Sequence, residues 1–147
     1  MSRFTTGVTV VTARDSEGGI VGMTANSFTS VSLSPPTVLI SIGAGRTNRA
    51  IRQSSRFGVN VLPASGSNLS NHFAGRSAPG FEPEFETGSQ MPKLRGIAAF
   101  FDCRIEKVLE VNDHTLLIGT VLACEHSDAD PLVFYSSQYH GLGAELV

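Results

Sequence analysis

The sequence has no tryptophan, only two tyrosines and two cysteines, and no charged residue from Gly22 to Gly45. No apolar run reaches the ~18 residues that a membrane-spanning helix needs. The start, Met1-Ser2-Arg3-Phe4, has no secretory-leader pattern, so a cytoplasmic protein without membrane association is expected. There is no CxxC pair, and Cys103 and Cys124 lie in different strand-like segments, which predicts reduced packing thiols rather than a disulfide. With net charge −2, pI ≈ 6.0 and no lysine/arginine block, the chain lacks the electrostatic footprint of a nucleic-acid binder. The four histidines show no ligand spacing, so no metal is expected. Without a GxSxG or a Cys/His arrangement, nucleophilic catalysis has no support either.

What is present is 147 residues of ordinary hydrophobic content, predicting one domain over residues 1–147. Its most unusual stretch is Gly22 to Pro36, GMTANSFTSVSLSPP, where Thr24, Ser27, Thr29, Ser30, Ser32 and Ser34 join the amide of Asn26. Buried without partners, each hydroxyl would cost about 1–3 kcal/mol. An uncharged, hydroxyl-rich strand therefore implies a polar but uncharged partner surface.

In chain order, Phe4 to Ala13 reads as a β-branched strand and Asp15 to Gly19 as a turn. Ile20 to Leu33 reads as a returning strand stopped by Pro35-Pro36. Thr37 to Ile42 alternates with Val38, Ile40 and Ile42 on one face. Arg46 to Ser54 predicts a short helix capped by Thr47, and Ser67 to Ala74 a second capped by Ser67. Between them, Phe57, Val59 and Val61 alternate with Gly58, Asn60 and Leu62. Gly75 to Pro92, broken by prolines and glycines, predicts a long loop, a candidate lid or partner-facing segment. Ala98 to Val111 and Thr115 to Cys124 predict strands around an Asn112-Asp113 turn; Leu132 to Tyr135 gives a last short one. The expectation is a mainly β, antiparallel barrel with a few short helices.

Gly43 to Asn48, GAGRTN, follows a strand and opens a helix, yet it lacks the third glycine and the acidic residue of a dinucleotide fingerprint. Its helix N-terminus, beside Arg46 and Thr47, suits a single phosphate.

Taken together, FTTGVTVVT (Phe4–Thr12), the Gly22–Pro36 stretch, FGVNVL (Phe57–Leu62), FAG (Phe73–Gly75), DHTLLIG (Asp113–Gly119), DPLVFY (Asp130–Tyr135) and QYHGLG (Gln138–Gly143) resemble the short flavin reductases, the reductase components of two-component flavin monooxygenases. The resemblance implies an FMN-binding split barrel that forms a homodimer, binds FMN or FAD, takes hydride from NADH or NADPH, and hands reduced flavin to a monooxygenase. It implies that Thr24, Ala25, Asn26 and Ser27 contact the isoalloxazine ring, largely through backbone groups, with Phe28 in the same segment. Ser30, Val31 and Ser32 would run beside the ribityl chain and phosphate, Arg46 and Thr47 would lie near the phosphate, and Phe73, Ala74 and Gly75 would close over the flavin. Phe4, Gly7, His114, Tyr139 and His140 would line the nicotinamide pocket.

No catalytic acid or base is implied, because the hydride passes between cofactors. Two departures from the family pattern concern the nicotinamide side: the chain begins without the helix that usually precedes the first strand, and His72 replaces a small or amide residue. The alternatives are a non-catalytic flavin-binding protein and, on a related barrel, an oxidase of a pyridoxine-type phosphate, for which Arg46 and Arg49 are a thin supply of cations.

Overall fold

The computed structural model describes residues 1–147. A seven-stranded antiparallel sheet is built from β2 (Thr9–Arg14), β3 (Ile20–Ala25), β4 (Thr29–Leu33), β5 (Pro36–Gly43), β6 (Arg56–Val61), β7 (Ala99–Val111) and β8 (His114–His126), in the order β3-β2-β6-β7-β8-β5-β4. β1 (Thr6–Gly7), β9 (Val133–Tyr135) and β10 (Gln138–His140) form a small second sheet, and the helices are α1 (Arg46–Ser54) and α2 (Ser67–Phe73). No helix is long and apolar enough to cross a membrane.

The single strand expected over Ile20–Leu33 is two strands. β3 and β4 are consecutive in the chain yet occupy opposite edges of the sheet. The sheet must curl until those edges approach, and Asn26 to Phe28 crosses the gap. Ser27 pins the crossing: its hydroxyl donates to the Ser41 carbonyl at 2.6 Å and accepts from the Ser41 N–H at 3.0 Å, replacing one rung of a ladder. Pro36 does not break the structure, because it opens β5 at a position where a missing N–H costs nothing.

Two apolar clusters lie on either side of β2 and β6. One contains Val11, Ile40, Ile42, Ile51, Phe57, Val59 and Leu117; the other contains Val8, Val10, Leu62, Leu94, Phe100 and Leu132. The expected alternation of Phe57 and Val59 holds, but the opposite face of β6 is buried as well. Asn60 is completely buried there and fully satisfied. Its amide donates to the Val10 carbonyl (3.0 Å) and Thr12 Oγ1 (3.1 Å), and its oxygen accepts from the Leu94 N–H (2.8 Å). Thr12 in turn donates to the Pro92 carbonyl at 2.6 Å.

This network docks the end of the long loop. Met91, Leu94 and Ile97 are buried, so the end of the proline- and glycine-broken stretch and the residues after it complete the core. Lys93 pairs with both Glu86 and Glu125.

Three other expectations change. Gly45 and Gly66, not Thr47 and Ser67, occupy the N-cap positions, with no side-chain cap bond; Thr47 is already inside the first turn and buried. The C-terminal Gln138–His140 tail is a strand, turned back by Ser136 and Ser137 at φ 51° and 63°. Of the two free cysteines only Cys103 is a packing thiol, its pKa pushed up to about 12 chiefly by burial, while Cys124 is exposed.

Replacing Asn60 with Ala removes three hydrogen bonds and leaves the buried Leu94 N–H without its partner. The expected loss is about 2–4 kcal/mol in urea denaturation. A loss below about 1 kcal/mol would show that apolar packing, the Thr12–Pro92 bond and the Lys93 pairs hold the 92–94 segment without Asn60.

Candidate functional site

A cleft opens where the first half of the hydroxyl-rich stretch meets α2 and the small sheet. Thr24, Ala25 and Asn26 line it from β3 and the crossing segment, Ser70, Ala74 and Arg76 from α2 and its exit, Val8 from beside β1, and Phe134 and Tyr139 from β9 and β10. Side-chain hydrogen bonds tie these elements together. Thr24 Oγ1 donates to the Ser70 carbonyl at 2.7 Å, fixing α2 against β3. The Tyr139 hydroxyl lies 2.8 Å from Ser70 Oγ and 3.1 Å from Asn71 Oδ1, and its ring packs against Phe134 with centroids 5.7 Å apart. Because β3 is an edge strand, its outward backbone groups have no ladder partner. They offer donors and acceptors to a flat polar ring without placing a charge beside it.

Close approach of α2 depends on Gly22. A Cβ there would fall 2.9 Å from Phe73 Cε1, so the missing side chain is the space in which the phenyl ring sits. Phe73 consequently packs on β3 within the second cluster, edge-on to His72 and Phe85. It is absent from the cleft lining, where only Ala74 of the expected Phe73-Ala74-Gly75 trio is present. Gly75, at φ 77°, turns the chain out of α2, and Arg76 N–H returns to the Asn71 carbonyl at 2.8 Å. His72 lies to one side, its Nδ1 2.8 Å from Ser77 Oγ.

The remaining expected residues divide among other surfaces. Ser30, Val31 and Ser32 lie on β4 with a register shift between Ser30 and Ser32, and Val31 is half exposed. Phe28 packs on Phe101 at 5.3 Å. Arg46 lines a depression with Asp15, Ser16, Arg49 and Gln53 at α1, whose first turn carries no acidic residue.

His114 does not join Tyr139 within this chain. It lies in a third depression with Asn48, Arg52 and Glu110, its Nδ1 2.9 Å from Asp113 Oδ1; that contact holds the Asp113 carboxyl below the usual range. The separation follows from topology, since β8 begins opposite Gly43 on the large sheet whereas Tyr139 belongs to the small one. Phe4 is exposed, Gly7 pairs with Val133, and His140 packs edge-on to Tyr135, so none of the three lines the cleft.

Sequence reasoning missed Val8, Ser70, Arg76 and Phe134. The available signal was adjacency: Val8 follows Gly7, and Arg76 follows the FAG motif. No group of three or more His, Cys, Asp or Glu side chains is placed to hold a metal ion. The cleft contains no carboxylate, imidazole or thiol. Its chemistry is that of holding and shielding planar reactants, which suits the ring system of a flavin.

The family model described as a flavin reductase like domain matches residues 1–143. The NADH-dependent flavin reductase StyB of Pseudomonas fluorescens is 42% identical over 144 residues, covering 94% of this chain and 84% of that protein. The FMN reductase (NADH) SmoA of Agrobacterium fabrum is 40% identical over 136 residues, covering 91% and 78%. Among solved structures, the styrene monooxygenase flavin reductase of Pseudomonas putida superposes with a TM-score of 0.91 at 41% identity, covering 99% of this chain and 95% of that one.

Ser27→Ala leaves the half-buried Ser41 N–H and carbonyl without their partner at the barrel gap. A loss of about 1–3 kcal/mol in urea denaturation is expected. No measurable loss would mean that water replaces the hydroxyl and that the crossing is held by Phe28 instead.

Proposed function

We propose that this chain, which belongs to the flavin reductase-like family, is an NADH-dependent flavin reductase that supplies reduced FMN or FAD to a partner monooxygenase. The observation that carries the reading is the cleft: an edge strand of uncharged polar groups faces an aromatic wall, with no acid or base between them. When bound, the flavin and nicotinamide would supply the hydride-transfer chemistry, and the protein's own side chains need transfer no proton. Relatives whose names specify NADH with FMN, or NADH with FAD, support both the donor and the breadth of flavin.

The residues of this chain then have positioning roles. Thr24 to Phe28 would hold the ring edge through backbone groups and Asn26, and Ala74, being small, would leave the cleft open to it. Ser30 and Ser32 accompany the ribityl chain along β4, and Arg46 with the first-turn amides of α1 receives the phosphate. Tyr139, fixed by Ser70 and Asn71, forms a wall of the nicotinamide side and excludes water. Holding the two reacting rings in contact in a water-poor cleft is worth orders of magnitude in rate without any covalent participation.

The working unit is a homodimer in the cytoplasm. Its support is apolar exposure out of keeping with a solvated surface: Leu33 on the edge strand β4, Leu109 and Val111 at the end of the β7–β8 hairpin, and Leu122 farther along β8. A second copy covering these side chains would remove them from water.

Mixed anaerobically with NADH and excess FMN or FAD, the protein should consume the nicotinamide absorbance catalytically, at a rate far above the mixture without protein. Tight flavin binding with no consumption would select the non-catalytic reading. In sedimentation velocity the wild type should run at twice the chain mass of 15.6 kDa, and Leu33→Glu with Leu109→Glu should shift it toward monomer. An unaltered dimer would place the interface elsewhere.

A further inference from the structure

Arg76 is the one ionisable cation in the cleft lining, and nothing in the protein neutralises it. Arg52, Arg56, Arg95 and Arg104 each pair with a carboxylate, and of the arginines that do not, Arg3, Arg14, Arg46 and Arg49 lie outside the cleft, whereas Arg76 lines it with only a long 3.5 Å guanidinium contact to Asn71 Oδ1. Its backbone is nevertheless firmly set, by the left-handed turn at Gly75 and the 2.8 Å return bond to Asn71. A fixed backbone carrying an uncommitted cation, at a cleft otherwise lined by uncharged groups, marks a place for an anion.

The flavin does not need it there. In the reading above its phosphate goes to Arg46, which lines a different depression, and to the first turn of α1, while its ring takes the uncharged β3 edge. The other reactant is a dinucleotide whose pyrophosphate carries two negative charges and must leave the cleft beyond the nicotinamide ring. We propose that Arg76 is the donor-binding residue that holds this pyrophosphate, with Asn71 orienting the guanidinium and Tyr139 sharing the same amide oxygen on the ring side. The assignment rests on the reductase reading above and gives it a specific electrostatic handle. Arginine suits the task, since its planar fork matches phosphate oxygens two at a time.

The test compares two hydride donors on the full-length protein: NADH, and 1-benzyl-1,4-dihydronicotinamide, which has the reactive ring but no phosphate. Arg76→Ala should raise KM for NADH about tenfold, the scale of a charge-assisted hydrogen bond lost from an exposed site. KM for the benzyl donor should change less than twofold, as should the flavin Kd measured by fluorescence quenching. Arg76→Lys should recover part of the loss, and the rise of KM for NADH with added salt should flatten in Arg76→Ala.

Equal losses with both donors would overturn the assignment, placing Arg76 in packing or ring contact. A weakened flavin Kd with an unchanged KM for NADH would overturn it in favour of the flavin phosphate. If the wild type oxidised neither donor with any flavin, the reductase reading itself would fall and this role with it.

Discussion

The hydroxyl of Ser27 does the work of a backbone rung at the point where the seven-stranded sheet closes on itself. β3 and β4 follow one another in sequence but stand at opposite edges. Three residues must join the edges without a ladder to guide them. A serine that donates to and accepts from the same residue of β5 supplies the missing pair of hydrogen bonds. Because the rung is a side chain, Asn26 to Phe28 cross the gap beside the open edge of β3. The candidate cleft exists where it does because the barrel is closed this way.

Around that closure, β2 and β6 are sandwiched between two apolar clusters. A strand buried on both faces cannot place a polar side chain freely, and Asn60 is tolerated because all three of its hydrogen-bonding demands are met. The partners belong to β2 and to the segment ending the long loop, so one amide joins three pieces of chain distant in sequence. Gly22 has a similar role on the other side of β2, letting Phe73 lie against β3 and bringing Ala74 and Arg76 to the cleft. Specific polar and steric fits of this kind set where α2 can sit, while the apolar clusters supply most of the driving force.

The cleft's electrostatics follow from its composition. Apart from Arg76 its polar groups are the uncharged Thr24, Asn26, Ser70 and Tyr139, which under the proposed reading would meet a ring edge without stabilising one charge state at the expense of the other. A strong positive or negative field beside the ring would bias the redox equilibrium and hinder release of the reduced product. Charge is kept to the periphery, at Arg46 on α1 and Arg76 beyond α2.

The β-rich class, the α1 and α2 spans within a residue and the Val38/Ile40/Ile42 face were legible in the sequence, as was the uncharged, hydroxyl-rich character of Gly22–Pro36. Each is a local consequence of period, turn chemistry or an excess of hydroxyls without charge. The resemblance spread over seven short motifs added the family, because collinear motifs carry order as well as content. It took the folded arrangement to show that the hydroxyl stretch is two strands at opposite sheet edges, that Phe73 anchors α2 while Arg76 lines the cleft, and that His114 and Tyr139 stand apart within the chain. The reason is physical: strand pairing and helix docking are settled by which distant surfaces complete each other's hydrogen bonds and fill each other's gaps. The carbonyl of Ser41 and the vacancy at Gly22 leave no mark on the residues immediately beside those they capture.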